Sequence, residues 1–318
     1  MKNILFVTSI LSIAIISFAL VEINYRYEFK YVDFVWPSEE QKNEMIKSGD
    51  YNASMCMLHD VDKSPDGRVF VAAYKTKGCP VGVMAVSNET GKGGPLLRPY
   101  PNWNWWIPND CNTGFYRIRI YITDTEGHGL IIYNAKTSKF KRIESNYMKP
   151  SHTNFFTKDN RNFTLEEGIF GLTIIDKELY YTVTSGKSIY KMDKSHLQCL
   201  KNISQADKET KVVATLSGQV DVLASKGNAI FFVNIPEGSI LCADSSKEIN
   251  SANMEILAQD PTKLILQSAL KVQGDELIGM ANNYQDFVMD RQNINKTNFI
   301  IFIINIKDIR KKTKCFGP

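Results

Sequence analysis

An all-β fold, whether sandwich, barrel or propeller, is what this sequence predicts, and three observations carry it. Short runs rich in β-branched and aromatic residues recur along the chain, the composition of half-buried strands. Turn chemistry separates them: Pro65-Asp66-Gly67, Thr90-Gly91-Lys92-Gly93-Gly94, Ser185-Gly186 and Lys226-Gly227-Asn228 are rich in the residues that accept turn geometry. A weak repeat runs through the strands. Asp66-Gly67-Arg68-Val69-Phe70-Val71 has the same form as Asp176-Lys177-Glu178-Leu179-Tyr180-Tyr181, Lys226-Gly227-Asn228-Ala229-Ile230-Phe231 and Gly274-Asp275-Glu276-Leu277-Ile278. The last three recur at about 48 residues, a spacing that suits propeller blades.

Taken in order, the chain opens as a secretory signal. Lys2 is the basic end, residues 4–16 are the apolar run, and Ser17-Phe18-Ala19 places small residues for cleavage after Ala19. The run is short for a bilayer span of ~20 residues, so residues 1–19 read as a signal peptide and residues 20–318 as the mature chain. Helical periodicity is convincing only over residues 39–47, after Pro37-Ser38. Strands are expected at 69–74, 81–86, 116–122, 129–133, 171–175, 179–184, 229–233, 264–272 and 299–306. The last is the most apolar stretch, and its length fits a buried strand, not a membrane span.

The net charge of +4 is modest and its basic residues are scattered. Arg310-Lys311-Lys312 with Lys314 reads as a solvated tail, so neither nucleic acid nor membrane is an expected partner. Six cysteines in an exported chain suggest disulfides. Cys56 and Cys79 flank two adjacent expected strands, which makes a local bridge between them plausible. Asn52, Asn88, Asn162, Asn202 and Asn295 each open an Asn-X-Ser/Thr sequon, the acceptor of N-glycosylation.

Catalytic signatures are absent. His59, His128, His152 and His196 are scattered without metal-ligand spacing, so no metal or cofactor is expected. There is no Gly-X-Ser-X-Gly elbow. Gly91-Lys92-Gly93-Gly94 lacks the frame of a phosphate loop and reads as a turn. Asp60 and Asp62 read as turn or solvent groups. Enzymatic activity is therefore not the expectation.

Residues 91–106, GKGGPLLRPYPNWNWW, are the most informative stretch. Pro99 and Pro101 favour extended backbone, and Tyr100, Trp103, Trp105 and Trp106 crowd together, as in a packed corner or an aromatic mouth. The string resembles the fingerprint of the major royal jelly protein / yellow family of insects. Other segments resemble that family in its own order: Phe34-Val35-Trp36-Pro37-Ser38-Glu39-Glu40, Lys47-Ser48-Gly49-Asp50-Tyr51-Asn52, Asp60-Val61-Asp62 with Arg68-Val69-Phe70-Val71, Gly129-Leu130-Ile131-Ile132-Tyr133 and Glu167-Gly168-Ile169-Phe170-Gly171-Leu172.

The resemblance implies a six-bladed β-propeller-like fold, secretion and glycosylation. It also implies a loss. Between Asp110-Cys111 and the Gly129–Tyr133 motif this chain is short, so one blade or more is expected to be missing after Cys111, leaving an incomplete ring with exposed edges. By the same resemblance Cys242 pairs with Cys315. The family partner of Cys111 lies in the absent stretch, which leaves Cys199 as its candidate.

A candidate site also comes from the resemblance. Some salivary members of the family bind biogenic amines in the propeller channel. Asn282 falls on the amide position, Tyr284 on the aromatic position and Ser268 on a hydroxyl position usually held by Thr. Ala269 stands where an acid is common. The expected function is an extracellular binding protein that captures a small aromatic amine. The alternative is a structural, nutritive, developmental or pigmentation-related secreted protein, with self-association favoured by exposed edges. Dopachrome conversion in the melanin pathway is a weaker alternative.

Overall fold

The computed structural model describes residues 18–74, 76–100, 119–134, 137–150, 155–158, 161–164, 166–184 and 186–317. Its strands form five antiparallel blades and a separate hairpin, Phe155–Lys158 with Arg161–Thr164. Blade 1 comprises Leu58–Lys63, Val69–Ala73, Val83–Gly91 and Gly94–Pro99. Blade 2 has Arg119–Asp124, Gly129–Asn134 and Lys139–Glu144. Blade 3 has Ile169–Ile175, Glu178–Val183, Ser188–Asp193 and Lys211–Thr215. Blade 4 has Leu223–Lys226, Ala229–Asn234, Ser239–Asp244 and Met254–Gln259, with Phe18–Ala19 at its edge.

Blade 5 is built from both ends of the chain. Leu266–Gln273, Glu276–Asn282 and Phe299–Asn305 are followed outward by Ile23–Phe29. Ile23 faces Ile304 and Phe29 faces Phe299. The first strand alternates apolar or aromatic residues with Asn24, Arg26 and Glu28, and its burial alternates with it, as a sheet edge with one wet face requires. The helix Glu39–Ser48 leads into blade 1. Ser38 caps its N-terminus by accepting from the Gln41 N–H, and Gly49 ends it in the left-handed region at φ 80°.

Period-two alternation explains why adjacent blades adhere. In Ala229–Asn234 both faces are buried. Phe231 and Val233 join one apolar cluster with Leu277, Phe302 and Ile304 of blade 5. Ile230 and Phe232 join another with Tyr180 and Ile189 of blade 3. Blade 5 does the same, sending Ile278, Met280 and Ile301 into a cluster with Val61, Val71 and Met84 of blade 1. Each such strand is a double-sided wedge.

The six-bladed ring implied by the resemblance is five-bladed among the described residues. Blade 2 is the irregular member. Thr125, just past the end of Arg119–Asp124, accepts from the Gly168 N–H at 2.8 Å and donates to the Ile169 carbonyl at 3.1 Å. Its first described strand therefore ends where the first strand of blade 3 begins, and the two run in opposite directions. Between blades 3 and 4 the first strands run alike, with Gly171 beside Asp221 and Thr173 beside Ser225. Blade 2 thus has the polarity of second, third and fourth strands. One face of it packs Leu130, Ile132 and Ile143 against Leu179 and Tyr181 of blade 3. Its other face leaves Ile120 47%, Ile122 44% and Phe140 69% exposed.

Both disulfides expected are present. Cys56–Cys79 has its Cα atoms 4.9 Å apart, and Cys242–Cys315 5.8 Å, within the range such bridges need. Cys199 is exposed and unbridged, and Cys111 lies outside the described residues. Asn52, Asn88, Asn202 and Asn295 are exposed; nothing is described of the Asn162 side chain. The basic tail is the last turn of the helix Ile306–Lys312, where its charge complements the helix C-terminus.

Candidate functional site

At one mouth of the ring, the ends of inner strands converge. His59 stands at the start of blade 1 and Tyr74 after its second strand. Glu167 and Phe170 stand at the start of blade 3, and Thr184 just past its second strand. Asp221 precedes blade 4, and Ser268, Asn282 and Tyr284 come from blade 5. Antiparallel blades deliver strand starts and second-strand ends to the same face, so residues far apart in sequence meet there. The cavity among them is about 30 Å³, room for water.

The three residues singled out in the sequence are together. Asn282 is 3% exposed. Its amide donates to the Leu58 carbonyl at 3.1 Å and to the Ser268 hydroxyl at 2.8 Å, and accepts from the Tyr284 N–H at 3.1 Å. Asn282 therefore ties blade 5 to blade 1 and fixes the start of the helix Tyr284–Val288. Ser268 lies in a register shift between Gln267 and Ala269, which turns its hydroxyl to the amide. The Tyr284 ring faces that of Tyr74, with centroids 6.1 Å apart, and His59 lies 4.3 Å from Tyr74.

The electrostatics of the mouth are acidic. Burial, then the neighbouring Glu126 carboxylate, raises the Glu167 carboxyl above its ordinary range, against a hydrogen bond from Tyr284 that lowers it. Burial, reinforced by Glu167, Asp221 and Glu126, pushes the Tyr74 hydroxyl up to about 12. Tyr284 is raised in the same way, by burial first and then Glu167. Burial lowers the His59 imidazole below its ordinary value. Lys271 of blade 5, which acts on His59, is held by Asp60 at 2.9 Å. Among the described residues no cluster of three or more His, Cys, Asp or Glu could hold a metal ion.

Sequence reasoning missed Tyr74, Glu167, Thr184 and Asp221. Glu167 lay inside a segment quoted for the family resemblance, but nothing local announced that it would meet Asn282. Glu167 and Asp221 are the carboxylates that line the cavity with Ser268.

Comparison with known proteins agrees with this geometry. The Major royal jelly protein family model matches residues 109–315. Major royal jelly protein 8 of Apis mellifera is 26% identical, covering 92% of this chain and 92% of its own length. Major royal jelly protein 9 of Apis mellifera is 25% identical, covering 92% of this chain and 90% of its own. The first alignment spans 398 positions, more than the 318 residues of this chain, so the relative carries residues that have no counterpart here. A family match over most of the chain and alignments running along both partners establish that the protein, a five-bladed β-propeller among its described residues, belongs to the major royal jelly protein family.

Proposed function

We propose that this is an exported protein that takes a small aromatic amine into the mouth of its channel. One observation carries the reading: two carboxylates, three aromatic side chains and an unsatisfied hydroxyl converge on one cavity. An aromatic amine presents a cation and a π face, which such a lining complements. Ligand sites usually run ~300–1,000 Å³, so entry requires the Tyr74 and Tyr284 rings to swing apart. Tyr74 is 36% exposed at the rim, so its swing would open the cavity to solvent at the expense of its contacts with His59 and Tyr284. Export is supported by the two disulfides and by the exposed sequons.

Calorimetric titration of the secreted protein with serotonin, dopamine and octopamine tests the reading. Saturable binding of one ligand per chain is the expected result. A folded, monodisperse sample that produces no binding heat overturns it.

A second reading, a structural or nutritive protein that self-associates, is favoured by the bare face of blade 2, where Ile120, Ile122 and Phe140 are exposed. Sedimentation that shows a concentration-dependent oligomer in a sample without amine binding selects it.

A further inference from the structure

Resting on the amine reading, we propose that Glu167 is the counter-ion of the channel mouth and makes it selective for a protonated amine over its neutral analogue. Glu126, on the turn between the first two strands of blade 2, acts on the same two tyrosine hydroxyls as Glu167. Neither glutamate forms an ion pair among the described residues. Lys271 is committed to Asp60, and Arg142, beside the Glu126 turn, to Asp124 and Glu144.

A half-buried carboxylate without a cation is unfavourable. Glu167 is in that position, and its carboxyl is raised as that cost predicts. An arriving ammonium removes the cost, whereas a neutral ligand leaves it in place.

Thr184 supplies independent support. It is 3% exposed, its Oγ1 has no hydrogen-bond partner, and it lines this cavity. A buried hydroxyl is rarely left unsatisfied; here an ammonium N–H would satisfy it. The lining favours an organic cation over a metal ion, because the carboxylates are not grouped as metal ligands and tyrosine rings flank them.

The test compares serotonin with its neutral analogue 5-hydroxytryptophol, in which a hydroxyl replaces the amine, on the wild type and on Glu167→Gln. The wild type should prefer serotonin by about 10-fold or more, and Glu167→Gln should erase that preference by weakening serotonin alone. Glu126→Gln, on an exposed turn that leaves the fold intact, should weaken serotonin a few-fold and spare the alcohol. Serotonin binding that survives both substitutions unchanged overturns the counter-ion and leaves the amine reading standing. A wild type that binds neither compound overturns both.

Discussion

Blades 4 and 5 and blade 2 are made of similar strands and end in opposite conditions. Phe231, Phe232 and Phe302 are fully buried because a blade packs on each face of their sheets. Phe140, an equally apolar residue on the last strand of blade 2, is 69% exposed. A propeller blade is therefore not a stable unit with a fixed inside. Which of its residues form core depends on whether it has two neighbours or one. Blade 2 keeps its strands although one of their faces has no blade packed on it among the described residues.

The sharpest way to break the contrast is a pair of truncations. Phe231→Ala should destabilise by about 3–5 kcal/mol in urea denaturation, whereas Phe140→Ala should change stability by less than about 0.5 kcal/mol. Equal costs would show that blade 2 is covered in solution. The disulfides come next. Cys242–Cys315 spans 73 residues and holds the tail to blade 4, while Cys56–Cys79 spans 23. Loss of either should cost about 2–5 kcal/mol, with the longer loop worth about 1 kcal/mol more if denatured-chain entropy dominates.

A smaller effect separates the region by pH. Asp33 accepts from the Lys42 ammonium at 2.8 Å, the Trp36 indole N–H at 2.8 Å and the Phe34 N–H at 2.9 Å. Burial pushes its carboxyl upward, but these bonds outweigh it and the carboxyl ends below its ordinary value. A group lowered on folding stabilises above its unfolded value and loses that contribution as pH falls through its folded value. Asp33→Asn should therefore lower stability at neutral pH by about 1.5–3 kcal/mol and flatten its decline below pH ~4, as followed by thermal melts. Smallest in stability, but decisive for the bare face, is Ile122→Lys with Phe140→Lys. Stability should stay within about 0.5 kcal/mol while any concentration-dependent association seen in sedimentation disappears.

Interior strands were legible in the sequence because their apolar, β-branched composition stands out, most of all where both faces are buried. The expected 229–233 became Ala229–Asn234 and 299–306 became Phe299–Asn305, while 129–133 became Gly129–Asn134. Outer strands such as Lys139–Glu144 and Lys211–Thr215 were missed, since their wet faces carry lysine and glutamate and look like loop. Ile23–Phe29 did carry a period-two pattern, but nothing local says that its partner lies at the far end of the chain. The site divides the same way. Asn282, Ser268 and Tyr284 were picked out by resemblance to the family, whereas Glu167 and Thr184 meet them only because the blades gather their strand ends at one mouth. Of the strand expected at 116–122, residues 119 onward are seen, extending to Asp124.

The pairing of Ile23–Phe29 with Phe299–Asn305 also sets a timetable for assembly. Ribosomes add about 5–20 residues per second, so the opening strand emerges on the order of tens of seconds before the partner it needs. Through that interval its backbone edge is an unpaired template, open to strands of other nascent chains. Blade 5 is then the last blade to form. Completion of blade 5, which joins blade 4 to blade 1, is a long-range event whose rate is set by how fast the two ends of the chain find one another.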